Sequence, residues 1–262
     1  MPLSIPLFGP FSLHIYGAMI ALGVSAFLVA FSFDSERKKL LTMDQVYTLV
    51  ALSIVTGVLG GKLLYLAECV GECSTASELF SFWNAGFSVL GAFIAVPLSI
   101  SWYMRKHNLS IIRSFDRAVL YVPLTFAISR LGCFFAGCCY GIPTSCFTAV
   151  MYTDPDSLAP LCKSLHPTQL YSAGLEFLLF IFMFTIGQKK LKKTGQLFGT
   201  YFMLMGIERF IVDFLRGDRT LISDSFSFSQ IAAGGVGMIG FVILLLATFT
   251  RSFSSFSKNR LS

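Results

Sequence analysis

The sequence predicts an all-α, polytopic membrane protein of about seven spanning helices, with its N-terminus outside and its C-terminus cytoplasmic. Three observations carry this. Of 262 residues, 55% are hydrophobic and 13% are charged, and the mean hydropathy is +0.72, whereas soluble domains carry about 25% charged residues. Seven apolar stretches approach the length of about 20 residues that crosses a hydrocarbon core about 30 Å thick. The lysines and arginines gather at alternate ends of those stretches.

The stretches run His14–Phe33, Val46–Leu66, Phe87–Tyr103, Ala118–Phe135, Gln169–Ile186, Gly195–Leu215 and Ile231–Thr248. Helices are expected because lipid offers no partner to backbone N–H and C=O groups. The segment before the first stretch, MPLSIPLFGPFSLH, lacks a basic region and carries Pro2, Pro6 and Pro10, which interrupt a helix. It reads as an extracytoplasmic lead-in rather than a cleavable signal peptide. Arg37, Lys38 and Lys39 follow the first span, and Arg105, Lys106, Arg113 and Arg117 lie between the third and fourth. Lys189, Lys190, Lys192 and Lys193 follow the fifth, and Arg251, Lys258 and Arg260 the seventh. Fourteen of the twenty Lys and Arg residues thus fall on one face, against Lys163, Arg216 and Arg219 on the other. By the positive-inside rule the first face is cytoplasmic. The net charge of +6 is therefore topology, and no nucleic-acid partner is expected.

A charge near the middle of a span costs about 2.5–3.5 kcal/mol, so each one requires a reason. Lys62 near the outer end of the second span, Arg130 late in the fourth, and Glu208, Arg209 and Asp213 in the sixth all map to the outer half of the bilayer. His14 and His166 start the first and fifth spans at the same level, and Glu176 lies near mid-depth. A polar cavity open to the outer leaflet accounts for this common address. Individually, Arg209, Asp213 and Arg216 at i, i+4 and i+7 also fit a structural ion-pair stripe. Lys62 fits a snorkelling side chain, and the two histidines fit polar caps. Arg130 has no acidic residue within one turn on its own span and precedes Gly132, Gly137 and Gly141, which permit close approach of a ligand. Its planar fork suits phosphate. An outer-leaflet lipid-binding protein or transporter stays open at this point, although the cytoplasmic halves of the spans offer such a transporter almost no charges.

Of seven cysteines, Cys69 and Cys73 fall in an outer loop, and Cys133, Cys138, Cys139, Cys146 and Cys162 lie at or beyond the outer end of the fourth span. The spacing C-x4-C-C lacks the paired C-x2-C of ordinary zinc sites, so packing or a disulfide is expected there and no metal or other cofactor.

The stretch SRLGCFFAGCCYGIPT (129–144) resembles the signature of the prolipoprotein diacylglyceryl transferase family, an arginine in a glycine-rich frame followed by an aromatic-Gly and a Pro-Thr. LHIYG (13–17), GGKLLY (60–65), GFSVLGAFIAV (86–96), LHPTQLYSAGLE (165–176) and GTYFMLMGIERFIVDFLRGD (199–218) follow the family in the same order, over nearly the whole chain. The resemblance implies a single integral membrane transferase domain over residues 1–262, multi-pass in a bacterial inner membrane. It implies transfer of a diacylglyceryl group from phosphatidylglycerol, a membrane lipid, to the lipobox cysteine of a preprolipoprotein signal peptide, with release of glycerol phosphate. By position, Arg130 matches the family's lipid-phosphate arginine and Arg209 its essential arginine on the penultimate span. Tyr16, as a catalytic candidate, and Gly141 and Asp213, as substrate-binding ones, also match positions that the family uses, and Tyr65, Gln169 and Tyr171 lie in its motifs as further substrate-binding candidates. Leu90 stands where the family often has a histidine, and Cys133 and Cys138 where some members have Asn and Glu. Leucine moves no proton, so thiol activation falls to the field of Arg130 and Arg209, to His166, or to His14.

Overall fold

A computed structural model of the chain describes residues 4–8, 11–68, 88–222 and 226–249. It is mostly helical and forms two compact units, residues 1–34 with 115–262, and residues 35–114. Cys69, Cys73, the start of the predicted third span at Phe87, and the basic residues Arg251, Lys258 and Arg260 lie outside the described residues.

In the smaller unit, helix α2 (Ser35–Lys38) precedes α3 (Met43–Glu68). Helix α3 opens on a reciprocal cap: Gln45 N–H donates to Thr42 Oγ1 at 3.3 Å, and Thr42 N–H donates to Gln45 Oε1 at 2.9 Å. It packs on α4 (Val89–Lys106) through small residues. A Cβ on Gly60 would stand 2.8 Å from the Gly91 carbonyl oxygen, so the two backbones touch there. Thr56 and Ser99 hydroxyls bond across the same pair at 2.9 Å.

The larger unit begins with a feature that differs from an all-helical chain: β1 (Ser4–Phe8) and β2 (Phe11–His14) pair antiparallel, and α1 starts only at Ile15, running to Ser32. Pro6 fits this hairpin and not a helix. A second correction concerns the fourth stretch. Instead of one helix over Ala118–Phe135, α5 (Ile111–Ala118) ends at Ala118 and α6 (Val122–Ala136) restarts after a 51° bend. Pro123 occupies the first turn of α6, where its missing N–H costs no helix bond. Helix α7 (Thr168–Phe182) continues through a π-helical turn (Met183–Gly187) into α8 (Gln188–Lys190), and α9 (Gln196–Asp213) and α10 (Phe228–Phe249) complete the unit. Short strands β3 (Val150–Met151) and β4 (Ser164–Leu165) pair in the segment between α6 and α7.

Among the described residues, four helical segments are long and apolar enough to span a membrane: Ile15–Ser32, Met43–Ala67, Thr168–Lys190 and Phe228–Phe249, with the bent α5–α6 pair as a fifth. Helix α9 carries Glu208, Arg209 and Asp213, and α4 contains Pro97 and a basic end, which sets these two apart. Polarity in the larger unit is inverted relative to a soluble core. Leu22, Val29, Leu178 and Ile239 face outward, while Thr168, Gln169, Ser172, Glu176, Asp213 and Gln230 are buried. This is the arrangement of a multi-pass membrane protein.

Helices α9 and α10 meet on glycines: a Cβ on Gly199 would lie 2.7 Å from Leu244 N, and one on Gly206 would lie 2.6 Å from Gly237 Cα. That contact sets the height and rotation of Arg209 and Asp213. The N-terminus of α9 is held by Asp116, whose carboxylate accepts from Gly195 N–H at 2.5 Å and Phe198 N–H at 2.8 Å.

Candidate active site

The site is built where three sequence motifs meet, at the C-terminal ends of α6 and α9 and the N-terminal end of α7. Helix α6 carries Arg130 and ends at Gly137, whose φ of 72° gives the left-handed turn that stops it. A side chain there would strike Ser157 as well. The chain then runs Cys138-Cys139-Tyr140-Gly141 between the start of α7 and the end of α9. Gly141 N–H donates to His166 O at 3.0 Å, and His166 N–H donates to Ile142 O at 3.1 Å. On the other side, Gly217 N–H donates to Tyr140 O at 2.8 Å and Ile142 N–H to Leu215 O at 2.9 Å. Any Cβ at Gly141 would collide with His166, so only glycine lets this strand-like segment fit.

Two buried side chains at the start of α7 pin the turn. Thr168 Oγ1 donates to Cys139 O at 2.6 Å, and Gln169 Nε2 donates to Cys138 O at 2.8 Å. Gln169 Nε2 also reaches Tyr152 Oη at 3.3 Å, and Tyr152 Oη donates to Phe134 O at 3.1 Å. Burial pushes the Tyr152 hydroxyl up to about 12, which keeps it a donor.

These elements come together around a tight cleft lined by Arg130, Cys139, Thr168, Gln169, Ser172, Arg209, Val212 and Arg216. Three guanidinium groups on a space this small are mutually repulsive unless an anion joins them. Arg216 has its own counter-ions: its Nε lies 2.9 Å from Asp218 and its Nη1 3.5 Å from Asp213. Arg130 and Arg209 have no ion pair among the described residues, and Arg130 Nη1 reaches only Cys139 Sγ, at 4.0 Å. Arg216 is the pocket residue that the spacing argument undervalued. The i, i+4, i+7 stripe read as ion pairing, yet the closer partner, Asp218, comes from beyond the helix.

Asp213 is wholly buried, and its two oxygens accept from the hydroxyls of Ser227 and Ser229. Ser227 is also the cap of α10, exchanging bonds with Gln230 at 3.0 and 3.1 Å. Asp213 thereby ties the Arg216 side of the cavity to α10. Behind the cavity, Ser172 Oγ donates to Glu208 at 2.6 Å, and Glu176 lies within electrostatic reach of Glu208 and Arg130.

His166 stands beside this cavity and does not line it. Its Nδ1 lies 3.2 Å from Tyr171 Oη, which lies 2.7 Å from Thr148 Oγ1. Tyr16, near the start of α1, is half exposed and within electrostatic reach of Cys133, Cys138, Cys139 and Arg130. Its backbone sits against Gly132, which admits α1 at that level. Tyr65 belongs to the smaller unit, where the Lys62 ammonium lies 5.9 Å from its ring centre. Leu90 is exposed on the same unit. The side chain of His14 lies outside the described ones.

Cys133, Cys138, Cys139, Cys146 and Cys162 are free thiols, so of the two alternatives, packing or a disulfide, no disulfide joins these five.

The profile of the prolipoprotein diacylglyceryl transferase family matches residues 2–246. A phosphatidylglycerol–prolipoprotein diacylglyceryl transferase of Clostridium tetani is 35% identical over 250 residues, covering 95% of this chain and 99% of that protein. A second transferase of that description, from Clostridium perfringens, is 32% identical over 79% of this chain and 80% of its own length. One from Dehalococcoides mccartyi is 32% identical over 86% of this chain and 84% of its own.

Proposed function

We infer, for a chain that belongs to the prolipoprotein diacylglyceryl transferase family, a thiol alkylation run at the arginine-lined cavity. Its activity is transfer of a diacylglyceryl group from phosphatidylglycerol to a prolipoprotein. The acceptor is the lipobox cysteine thiol of the signal peptide. The observation that supports this site is the pair Arg130 and Arg209, two guanidinium groups that line one tight cleft and have no carboxylate partner among the described residues.

The thiolate attacks the glycerol carbon bonded to the lipid phosphate. The C–O bond breaks, and its electron pair stays on the departing glycerol phosphate, which gains negative charge. Guanidinium groups fixed in place before the reaction stabilise that charge without the reorganisation that water would need. Arg130 and Arg209 grip the phosphate. Gln169 and Gly141 hold the turn that carries Cys139, and Asp213 holds the Arg216 side. Tyr16 has a catalytic part in this scheme, Tyr171 belongs to the substrate contacts, and Tyr65 is a substrate-binding candidate of the smaller unit.

His166 is the proton acceptor in this scheme. When Tyr171 Oη donates to Thr148, its oxygen is free to accept from His166 Nδ1–H, which leaves Nε2 with the basic lone pair. His166→Ala should lower turnover by about 10²-fold and flatten its rise with pH, since a general base works only when neutral. An unchanged pH profile in that variant would remove His166 from proton transfer.

Seven spans, with the N-terminus outside and the C-terminus in the cytoplasm of a bacterial inner membrane, complete the proposal. Residues 1–262 act in it as one transferase domain without a nucleic-acid partner. It is supported by the fourteen-to-three partition of basic residues. Reporter fusions should place residue 190 inside and residue 155 outside, and a cytoplasmic signal at residue 155 would overturn the orientation. The reaction is tested by incubating the purified chain with phosphatidylglycerol and a lipobox peptide. A diacylglyceryl mass increase on the cysteine is expected, and lipid binding without it would leave a lipid-binding protein or transporter.

A further inference from the structure

Cys133, Cys138 and Cys139 stand at the end of α6 and have no part in the scheme so far. Their sulfurs lie within 4.8 Å of one another. Spacing alone argued against a metal, but the left-handed turns at Gly137 (φ 72°) and Cys139 (φ 57°) fold the C-x4-C-C segment back on itself. A tetrahedral zinc ion with Zn–S bonds of about 2.3 Å holds its sulfurs about 3.8 Å apart, so closing this cluster on an ion takes shifts of about 1 Å or less. The support is rigid, because the carbonyls of Cys138 and Cys139 are pinned by Gln169 and Thr168. The charge also balances. Three thiolates and one Zn²⁺ sum to a single negative charge, facing Arg130 at 4.0 Å from Cys139 Sγ and a cavity shared with Arg209 and Arg216.

We propose that Cys133, Cys138 and Cys139 bind one zinc ion, and that its fourth position takes the acceptor thiol of the prolipoprotein. Three protein ligands and one open position are the mark of a catalytic rather than a structural zinc. Cys139 lines the cleft assigned to the lipid phosphate, so an ion held by its sulfur would stand beside that cleft. The identity of the fourth ligand rests on the transferase reading, whereas the metal site does not. A thiol that coordinates zinc gives up its proton, here to His166 Nε2, and the bound sulfur keeps a lone pair for attack. That pair forms the S–C bond as the C–O bond of the lipid breaks toward phosphate. The product thioether is neutral, a weaker ligand than the thiolate, and leaves the ion. This device supplies thiol activation in a chain that has Leu90 where the family often has a histidine.

The full chain, purified under reducing conditions, is loaded with Zn²⁺, freed of excess metal and analysed by mass spectrometry for metal content. About one zinc per chain is expected, falling at least about tenfold in Cys133→Ser, Cys138→Ser and Cys139→Ser and unchanged in Cys146→Ser and Cys162→Ser. Zinc should also protect three thiols of the unaltered chain from alkylation, a readout that needs no variant to fold. Co²⁺ in place of zinc should show thiolate charge-transfer absorption that strengthens when a lipobox peptide is added and not when its cysteine is replaced by serine. A folded, reduced chain that retains no zinc, or a disulfide within the trio in the active protein, would overturn the site. Zinc retention with a cobalt spectrum indifferent to the cysteine peptide would overturn the fourth-ligand role. The transferase reading is judged apart from both, by the mass increase on the peptide.

Discussion

Arg209→Ala should lower turnover by about 10³-fold while leaving the folded protein as stable as before, or more so. The two halves of this expectation come from the same geometry. Arg209 lines one cleft with Arg130 and Arg216, and no carboxylate among the described residues pairs with it. Removing one of three like charges relieves repulsion, so the thermal midpoint should not fall. In the proposed lipid complex the same charge faces the phosphate oxygens, and its loss would remove a fixed donor from the developing phosphomonoester. A structural ion pair behaves in the opposite way, because breaking it costs stability first. Turnover per folded protein, measured alongside thermal unfolding, separates the two. A large drop in the unfolding midpoint with proportionate activity would make Arg209 part of the scaffold.

Much of this site was legible in the sequence because membranes make charge expensive. Every polar residue kept in a span asks for a reason, and the positive-inside partition assigns those residues to one leaflet without any structure. Arg130 and Arg209 could be singled out in that way, Gln169 only through the family motif that contains it, and the glycines around the CCYG segment pointed to a close approach. What could not be read is carried by backbone hydrogen bonds and by φ angles. Nothing in the residue types says that Gly141 is clamped between His166 and the Leu215–Gly217 segment. Cys139 is not glycine, so its left-handed backbone has no sequence marker, and that turn is what gathers the three sulfurs. The fourth stretch illustrates a related limit. Hydropathy runs smoothly through Ala118–Phe135, whereas Pro123 divides it into two helices bent by 51°. The hairpin at residues 4–14 was hidden for a different reason: prolines exclude a helix there, but do not say which extended form replaces it.

Arg130→Lys is the sharper test of how the phosphate is held, because it keeps the charge and changes only its shape. Were Arg130 needed for charge alone, lysine would retain most activity, its flexible stem letting the ammonium settle wherever the field is best. The site argues otherwise. Arg130 projects from the last turns of α6, a helix stopped by Gly137 and followed by a turn pinned by Thr168 and Gln169, so its fork is presented at a fixed angle to the cavity. A guanidinium can make two parallel bonds to a phosphate and thereby orient the C–O bond that must break, whereas an ammonium is a point charge that leaves that bond free to turn. Loss of one well-placed donor from an anion site costs about 10²–10³ in rate, or about 3–4 kcal/mol, and Arg130→Lys should approach that while inserting and accumulating like the unaltered chain. Binding of phosphatidylglycerol should weaken far less than turnover, because charge attraction survives and alignment does not. Turnover near that of the unaltered chain would end the two-bond role of Arg130, and would leave Arg209 as the principal phosphate ligand.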